Sequence, residues 1–312
     1  MKAPIHSLSL AALCLLLGTL GMALGSDGFS WPEGILLSYR LCRVLAGFLG
    51  GAALAFSGSL FQNLFRNPLA DAYLLGVSQG AALGAAACLL WGGALLAPWL
   101  PLGAFLGGFS ALLLTLALAG GRNDSPEPLL LNGIVAGALL SGLLLCLLSR
   151  ATSDQLAGVT WWMLGDLQAV PPVALSILGV ALGLALLLAA YWSREINALA
   201  LGDDWALSLG VRPLPIRLAL LGCGALLVAL CVSSMGIISF VGLLVPQTLR
   251  RMLGGDFHRL LLPTALGGGA FLQLCDLLAK GLDPVRPLPV GVLTALAGGI
   301  FLLVALHGRR CP

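Results

Sequence analysis

The sequence predicts an all-α, polytopic membrane protein with about ten transmembrane helices, several short or broken, and both termini in the cytoplasm. Three observations lead there. Of 312 residues, 59% are apolar and only 9% are Asp, Glu, Lys or Arg, whereas an ordinary soluble domain is about one quarter charged. The mean hydropathy is +1.02, and the apolar residues fall in continuous runs rather than in the alternating strands of an outer-membrane barrel. The basic residues also gather on one side of those runs. Too little polar surface exists to cover a soluble core, and the apolar excess excludes a disordered chain. The net charge of +3 is small and scattered, without the basic stripe that nucleic-acid binding requires.

The runs cover residues 7–25, 44–65, 74–91, 100–119 and 129–148 in the first half. The second half gives 173–192, 218–232, 237–249, 260–278 and 290–306. Several reach the length of about 20 residues that a helix needs to cross hydrocarbon. The seventh and eighth are short, and Pro246 interrupts the eighth. Broken spans of this kind require protein or a wet cavity to satisfy the freed backbone groups. The first run, preceded by Lys2 and followed by small residues at Ala23 and Gly25, also fits a cleavable signal peptide, which would leave nine spans. It is long enough to span and is read as retained. With ten spans and cytoplasmic termini, eleven of the sixteen basic residues lie inside. Arg40, Arg43, Arg150, Lys280 and Arg286 lie outside. That bias obeys the positive-inside rule.

Catalytic and cofactor chemistry is hard to find. The chain has only two lysines, Lys2 and Lys280, and no phosphate-binding loop, so it cannot hydrolyse ATP by that route. No nucleophile–histidine arrangement stands at a span end. The eight cysteines lack a C-x-x-C pair, mostly occupy apolar runs and are expected to pack as small apolar residues. No metal site, resident cofactor or enzyme activity is expected. Among the acidic residues Asp276, near the outer end of the ninth span, is the main one away from a predicted surface. A carrier driven by ions usually holds ionisable groups deep in the bundle; their scarcity leaves a gated pathway powered from outside the chain.

The most ordered polar stretch is 197–217. Leu201, Trp205 and Leu209 recur every fourth residue and share a helical face. Asp203 is the expected N-cap and Gly210 the C′ residue, while Pro213 and Pro215 prevent continuation. About two turns of surface helix follow, too short to stand alone. Its apolar stripe either packs onto the protein's own inner face or docks in a partner's groove.

At this point the residues resemble a family. Arg66-Asn67-Pro68-Leu69-Ala70-Asp71, then Tyr73-Leu74-Leu75-Gly76-Val77-Ser78 and Gly80-Ala81-Ala82-Leu83-Gly84-Ala85, are similar to the FecCD-type (type II) permeases of ABC importers for iron-siderophores, haem and cobalamin. Arg40-Leu41-Cys42-Arg43, Leu199-Ala200-Leu201-Gly202-Asp203, Gly236 with Phe240-Val241-Gly242-Leu243, and Leu288-Pro289-Val290-Gly291-Val292 continue the likeness in order, from about residue 35 to 306. The resemblance implies one permease domain over 1–312, with residues 197–212 a cytoplasmic coupling-helix loop. It also implies a second permease subunit forming a homodimer, two cytoplasmic ATPase subunits that use ATP-Mg, and an extracytoplasmic binding protein. The location implied is the bacterial inner membrane, among its lipids.

The resemblance also assigns roles. Leu201, Gly202, Asp203, Trp205, Leu209 and Gly210 match the element that contacts the ATPase. Asn67 and Leu69, with Ser125 and Pro126, match cytoplasmic gate positions. Arg40 and Arg43, three apart just before the second span, and Lys280 match basic residues that meet carboxylates of the binding protein; snorkelling to lipid headgroups is the alternative. The sequence departs from the family pattern at Ala72, Gln247, Phe257, Pro287 and Gly299. The expected cargo is a metal chelate, first an iron-siderophore, with haem and cobalamin as rivals. An ion-coupled secondary transporter is the alternative from a different class.

Overall fold

In the computed structural model, the described residues are 3–25, 28–29, 32–71, 73, 75–96, 99–118, 127–168, 170–283 and 287–307. The chain begins with α1 (Ala3–Ala23), whose end leads into a two-residue antiparallel ladder of β1 (Leu24–Gly25) and β2 (Gly28–Phe29). Then come α2 (Ile35–Leu64), α3 (Val77–Leu96), α4 (Leu100–Leu118), α5 (Glu127–Leu148) and α6 (Ser153–Met163). The remainder is α7 (Pro172–Tyr191), α8 (Ser193–Leu201), α9 (Asp203–Ser208), α10 (Pro213–Met235), α11 (Val241–Leu253), α12 (Phe257–Leu282) and α13 (Val290–His307). Among the described residues, seven helices are long and apolar enough to cross a membrane: α1, α2, α4, α5, α7, α10 and α12. Shorter apolar stretches lie in α3 (Val77–Trp91) and α13 (Val290–Val304). The expected eighth span is α11, only 13 residues long with Pro246 inside it.

Helix α2 organises the bundle. At 30 residues it is about 45 Å long, and α12, α11 and α10 pack along it. Between helices in lipid, close backbone approach replaces the hydrophobic drive available in water. The glycines of α2 make that approach possible. A Cβ on Gly58 would overlap the carbonyl of Gly242 in α11, and one on Gly51 would overlap that of Gly268 in α12.

Two boundaries differ from the sequence expectation. The second helix starts at Ile35, nine residues before its apolar run, because Arg40 and Arg43 find hydrogen-bond partners inside the protein and do not end the helix. They therefore lie within α2, not before it. Between α5 and α7 a further helix, α6, appears that the apolar runs did not indicate. Thr152 precedes it, and the Thr152 backbone N–H donates to Oε1 of Gln155 at 3.0 Å, one half of a capping box.

The spans are broken where residues 65–76 join α2 to α3 and residues 236–240 join α10 to α11. Arg66 (φ 51°) and Phe240 (φ 68°), neither of them glycine, adopt left-handed backbone there. The two breaks meet. The Tyr73 hydroxyl donates to the Ile238 carbonyl at 2.8 Å and accepts from the Ile238 N–H at 3.2 Å. One phenol thus satisfies two backbone groups that an interrupted helix leaves without partners. Beside it, Asp71, Tyr73, Gln79, Gly133, Gly137 and Ser141 help to line a cavity of about 400 Å³.

Candidate functional site

The predicted site residues separate to opposite ends of α2. Arg43 sits near the start of this helix and Arg66 just past its end, so about 35 Å of helix rise divides them.

At the Arg66 end, the predicted surface helix is split. Gly202, with φ 131°, breaks it into α8 and the six-residue α9. Gly202 is the N-cap, and Asp203, expected in that place, is the first helical residue and makes no capping bond. Its carboxylate turns to the bundle. Oδ1 of Asp203 lies 2.7 Å from Nη2 of Arg217 in α10 and 3.7 Å from Nη2 of Arg66. Arg217 is only 1% exposed. A guanidinium so buried requires an anion, and Asp203 supplies it.

The other end of α9 follows the expectation for Gly210, which has φ 78°. Its N–H donates to the Leu207 carbonyl and the Val211 N–H to the Ala206 carbonyl, the paired bonds of a Schellman stop. Leu201, Trp205 and Leu209 remain 71%, 64% and 64% exposed. They do not pack onto the chain's own bundle, which removes one of the two sequence readings for this chain in isolation. A second tie, unseen in the sequence, fixes α8: the side-chain amide of Asn197 donates to Asp256 at 3.0 Å and accepts from the Phe257 N–H at 2.9 Å, at the start of α12.

Asn67 and Leu69 follow Arg66 directly. Oδ1 of Asn67 accepts from the Leu69 N–H at 2.9 Å, and its carbonyl accepts from the Ala70 N–H at 3.0 Å. The pair forms a tight Asx-type turn, from which the Leu69 side chain projects with 52% exposure. Ser125 and Pro126 lie outside the described residues.

At the opposite end, Arg40, Arg43 and Lys280 come together, but inside the protein. All are buried. Arg43 donates from Nε to Oδ1 of Asp276 at 2.9 Å, and Nζ of Lys280 lies 3.0 Å from Oδ2 of the same carboxylate. Arg40 donates to the Met22 carbonyl at 2.8 Å, and Lys280 to that of Gly21 at 3.5 Å. These carbonyls belong to the last turn of α1, where helix acceptors lack partners and cations are favoured. The two arginines share a face, as their spacing required; that face points to α1 and α12. Asp276, noted in the sequence for its depth, is the centre of the cluster.

Among the described residues, no group of three or more His, Cys, Asp or Glu side chains is arranged to hold a metal ion. The seven described cysteines are all free thiols.

A helical bundle with long apolar spans, interrupted helices meeting at their breaks and an exposed apolar element at one end defines a multi-pass membrane protein of the transporter class. The FecCD transport family model matches residues 5–308, and the chain belongs to that family. It is 37% identical over 312 residues to the hemin transport system permease protein HmuU of Yersinia pestis, covering 98% of this chain and 92% of the relative. To the vitamin B12 import system permease protein BtuC of Escherichia coli O9:H4 (strain HS) it is 38% identical over 313 residues, covering 97% and 95%. Among solved structures, an inward-facing metal-chelate-type ABC transporter matches with a TM-score of 0.89 and 28% identity, over 98% of this chain and 99% of the other.

Proposed function

We propose that this chain is the membrane-spanning permease subunit of a binding-protein-dependent ABC importer in the bacterial inner membrane, carrying a metal chelate inward by alternating access. The observation that carries the reading is the exposed, fixed apolar element of α8–α9 in a chain of the FecCD family. Leu201, Trp205 and Leu209 offer a partner ATPase an apolar surface, bounded by Gly202 and Gly210. ATP-Mg is used by that partner and by no group of this chain. ATP binding draws two ATPase subunits together, moves α9 and shifts the balance between inward- and outward-closed bundles. Two copies of the chain enclose the pathway. The positive-inside count supports α9 and the Asn67–Leu69 turn at the cytoplasmic side and the Asp276 cluster at the outer side.

In this reading Leu69 narrows the cytoplasmic mouth, and Ser125 and Pro126 belong to a second gate position. Arg40, Arg43 and Lys280 gather cationic side chains at the outer end, which suits carboxylates of a binding protein. An iron-siderophore is the cargo to test first. Haem and cobalamin are the competing cargos, on the strength of the names of the two relatives. The decisive experiment is purification of the chain with its ATPase subunits, followed by ATP turnover with and without the loaded binding protein. Stimulation by the loaded protein is expected. Turnover indifferent to it, with all subunits assembled, overturns the reading.

A further inference from the structure

We propose that Asp203 is a positioning residue that transmits movement of α9 to the start of α10 and to the gate turn after α2. This rests on the reading of α9 as the ATPase-contacting element and deepens it.

A six-residue helix is a short lever; its C-terminal stop ties it to Val211, two residues before α10, whereas at Gly202, with φ 131°, the helix is broken from α8. Backbone continuity therefore does not explain how its displacement reaches the turn after α2. The ion pairs do. Asp203 uses one oxygen, Oδ1, toward both Arg217 of α10 and Arg66 beyond α2. The first contact is tight and buried: Nε and Nη1 of Arg217 have no hydrogen-bond partner, so the pair with Asp203 is the polar anchor of that side chain. The second contact is longer, and its Arg66 side chain is 36% exposed. Arg66 is held at φ 51°, and the next residue, Asn67, begins the Asx-type turn that presents Leu69. A shift of α9 of about 1 Å, the scale of helix movements in switching proteins, alters both distances at once. The contact with Arg66 is the adjustable one, and it leads straight into the gate. Asn197 holds α8 to the start of α12, so movement concentrates beyond Gly202, where Asp203 begins.

The test uses the complete importer in liposomes, measuring ATPase capture and the amount of radiolabelled chelate moved per ATP hydrolysed, with whichever of a ferric siderophore, haem or cobalamin the parent importer transports as the probe. Asp203→Asn and Arg66→Gln are each expected to retain the ATPase while cargo per ATP falls about three- to tenfold. Arg66→Lys, which keeps the charge, is expected to retain most of the ratio. The double variant is expected to be no worse than the more severe single one, since both substitutions cut one link. If Asp203→Asn does not fold because Arg217 is stranded, Arg66→Gln decides alone, as the Arg66 side chain is partly exposed. An unchanged ratio in Arg66→Gln overturns the proposal. Loss of ATPase capture in either variant also overturns it, by making the residue part of the docking surface. Failure of the parent protein to capture an ATPase through α9 overturns the underlying reading instead, and is recognised because it precedes any variant.

Discussion

Arg43 and Asp276, 233 residues apart in the chain, meet inside the bundle with Nε donating to Oδ1 at 2.9 Å. The contact joins α2 to α12, and Lys280 and Arg40 extend it to the last turn of α1. Burying ions is unfavourable unless each finds a partner. Among the described residues, the Asp276 carboxylate and carbonyls of the last turn of α1 are partners of these cations.

Asp276→Asn removes the anion that pairs with the buried Arg43 and Lys280. A loss of about 3–5 kcal/mol in unfolding free energy is expected, measured by denaturant unfolding in mixed micelles against the parent. A loss below about 1 kcal/mol would show that water reaches the cluster and screens it. By the same argument, charge reversal at Arg40 and Arg43 disrupts folding together with any docking. A test of docking therefore needs the milder Lys280→Gln, with binding-protein capture compared at low and high salt.

Trp205 and Leu209 are exposed, so Trp205→Ala with Leu209→Ala should leave thermal unfolding of the chain unchanged. Capture of the ATPase subunit should weaken by about 30-fold, the scale of losing an aromatic anchor from an interface. Equilibrium binding in detergent reads this directly. Parental affinity in the double variant would remove α9 from the docking surface.

Much of the fold was legible because a bilayer imposes simple rules. Long apolar runs gave the positions of α4, α5, α7 and α12 to within four residues; α10, expected to be short over 218–232, is a 23-residue span because the helix starts at Pro213, where proline is tolerated in the first turn. The start of α2 was not legible, since Arg40 and Arg43 look like a boundary until Asp276 and the end of α1 are known to receive them. Helix α6 was missed because its polar residues interrupt any apolar run. At the site, Asp203 was recognised but given the wrong local partner: capping logic looks three residues ahead, whereas Arg217 lies 14 residues away. The Tyr73–Ile238 contact, across 165 residues, has no local signature at all.

Tyr73→Phe keeps the ring and removes both hydrogen bonds to Ile238. Two buried backbone groups lose their partner, and a loss of about 1–3 kcal/mol in stability is expected. The break between α10 and α11 should also open more readily, seen as faster amide exchange at Ile238 and its neighbours. Exchange equal to that of the parent would mean the two breaks are held by packing alone.

Gly58→Ala places a Cβ against the Gly242 carbonyl and should separate α2 from α11, lowering stability by about 1–3 kcal/mol. Gly183→Ala is the control, with open space at the added atom. It should be neutral or slightly stabilising, as expected for a helical glycine. Equal effects at the two positions would contradict the close crossing of α2 and α11.

The most direct measurement is accumulation of radiolabelled metal chelate in sealed liposomes. One set contains this chain alone, with proton or sodium gradients imposed. The other contains the chain with its ATPase subunits, loaded binding protein and ATP. Uphill accumulation is expected only in the second set, with its loss on withholding ATP. Concentration of the chelate by the chain alone, driven by an ion gradient, would contradict the account.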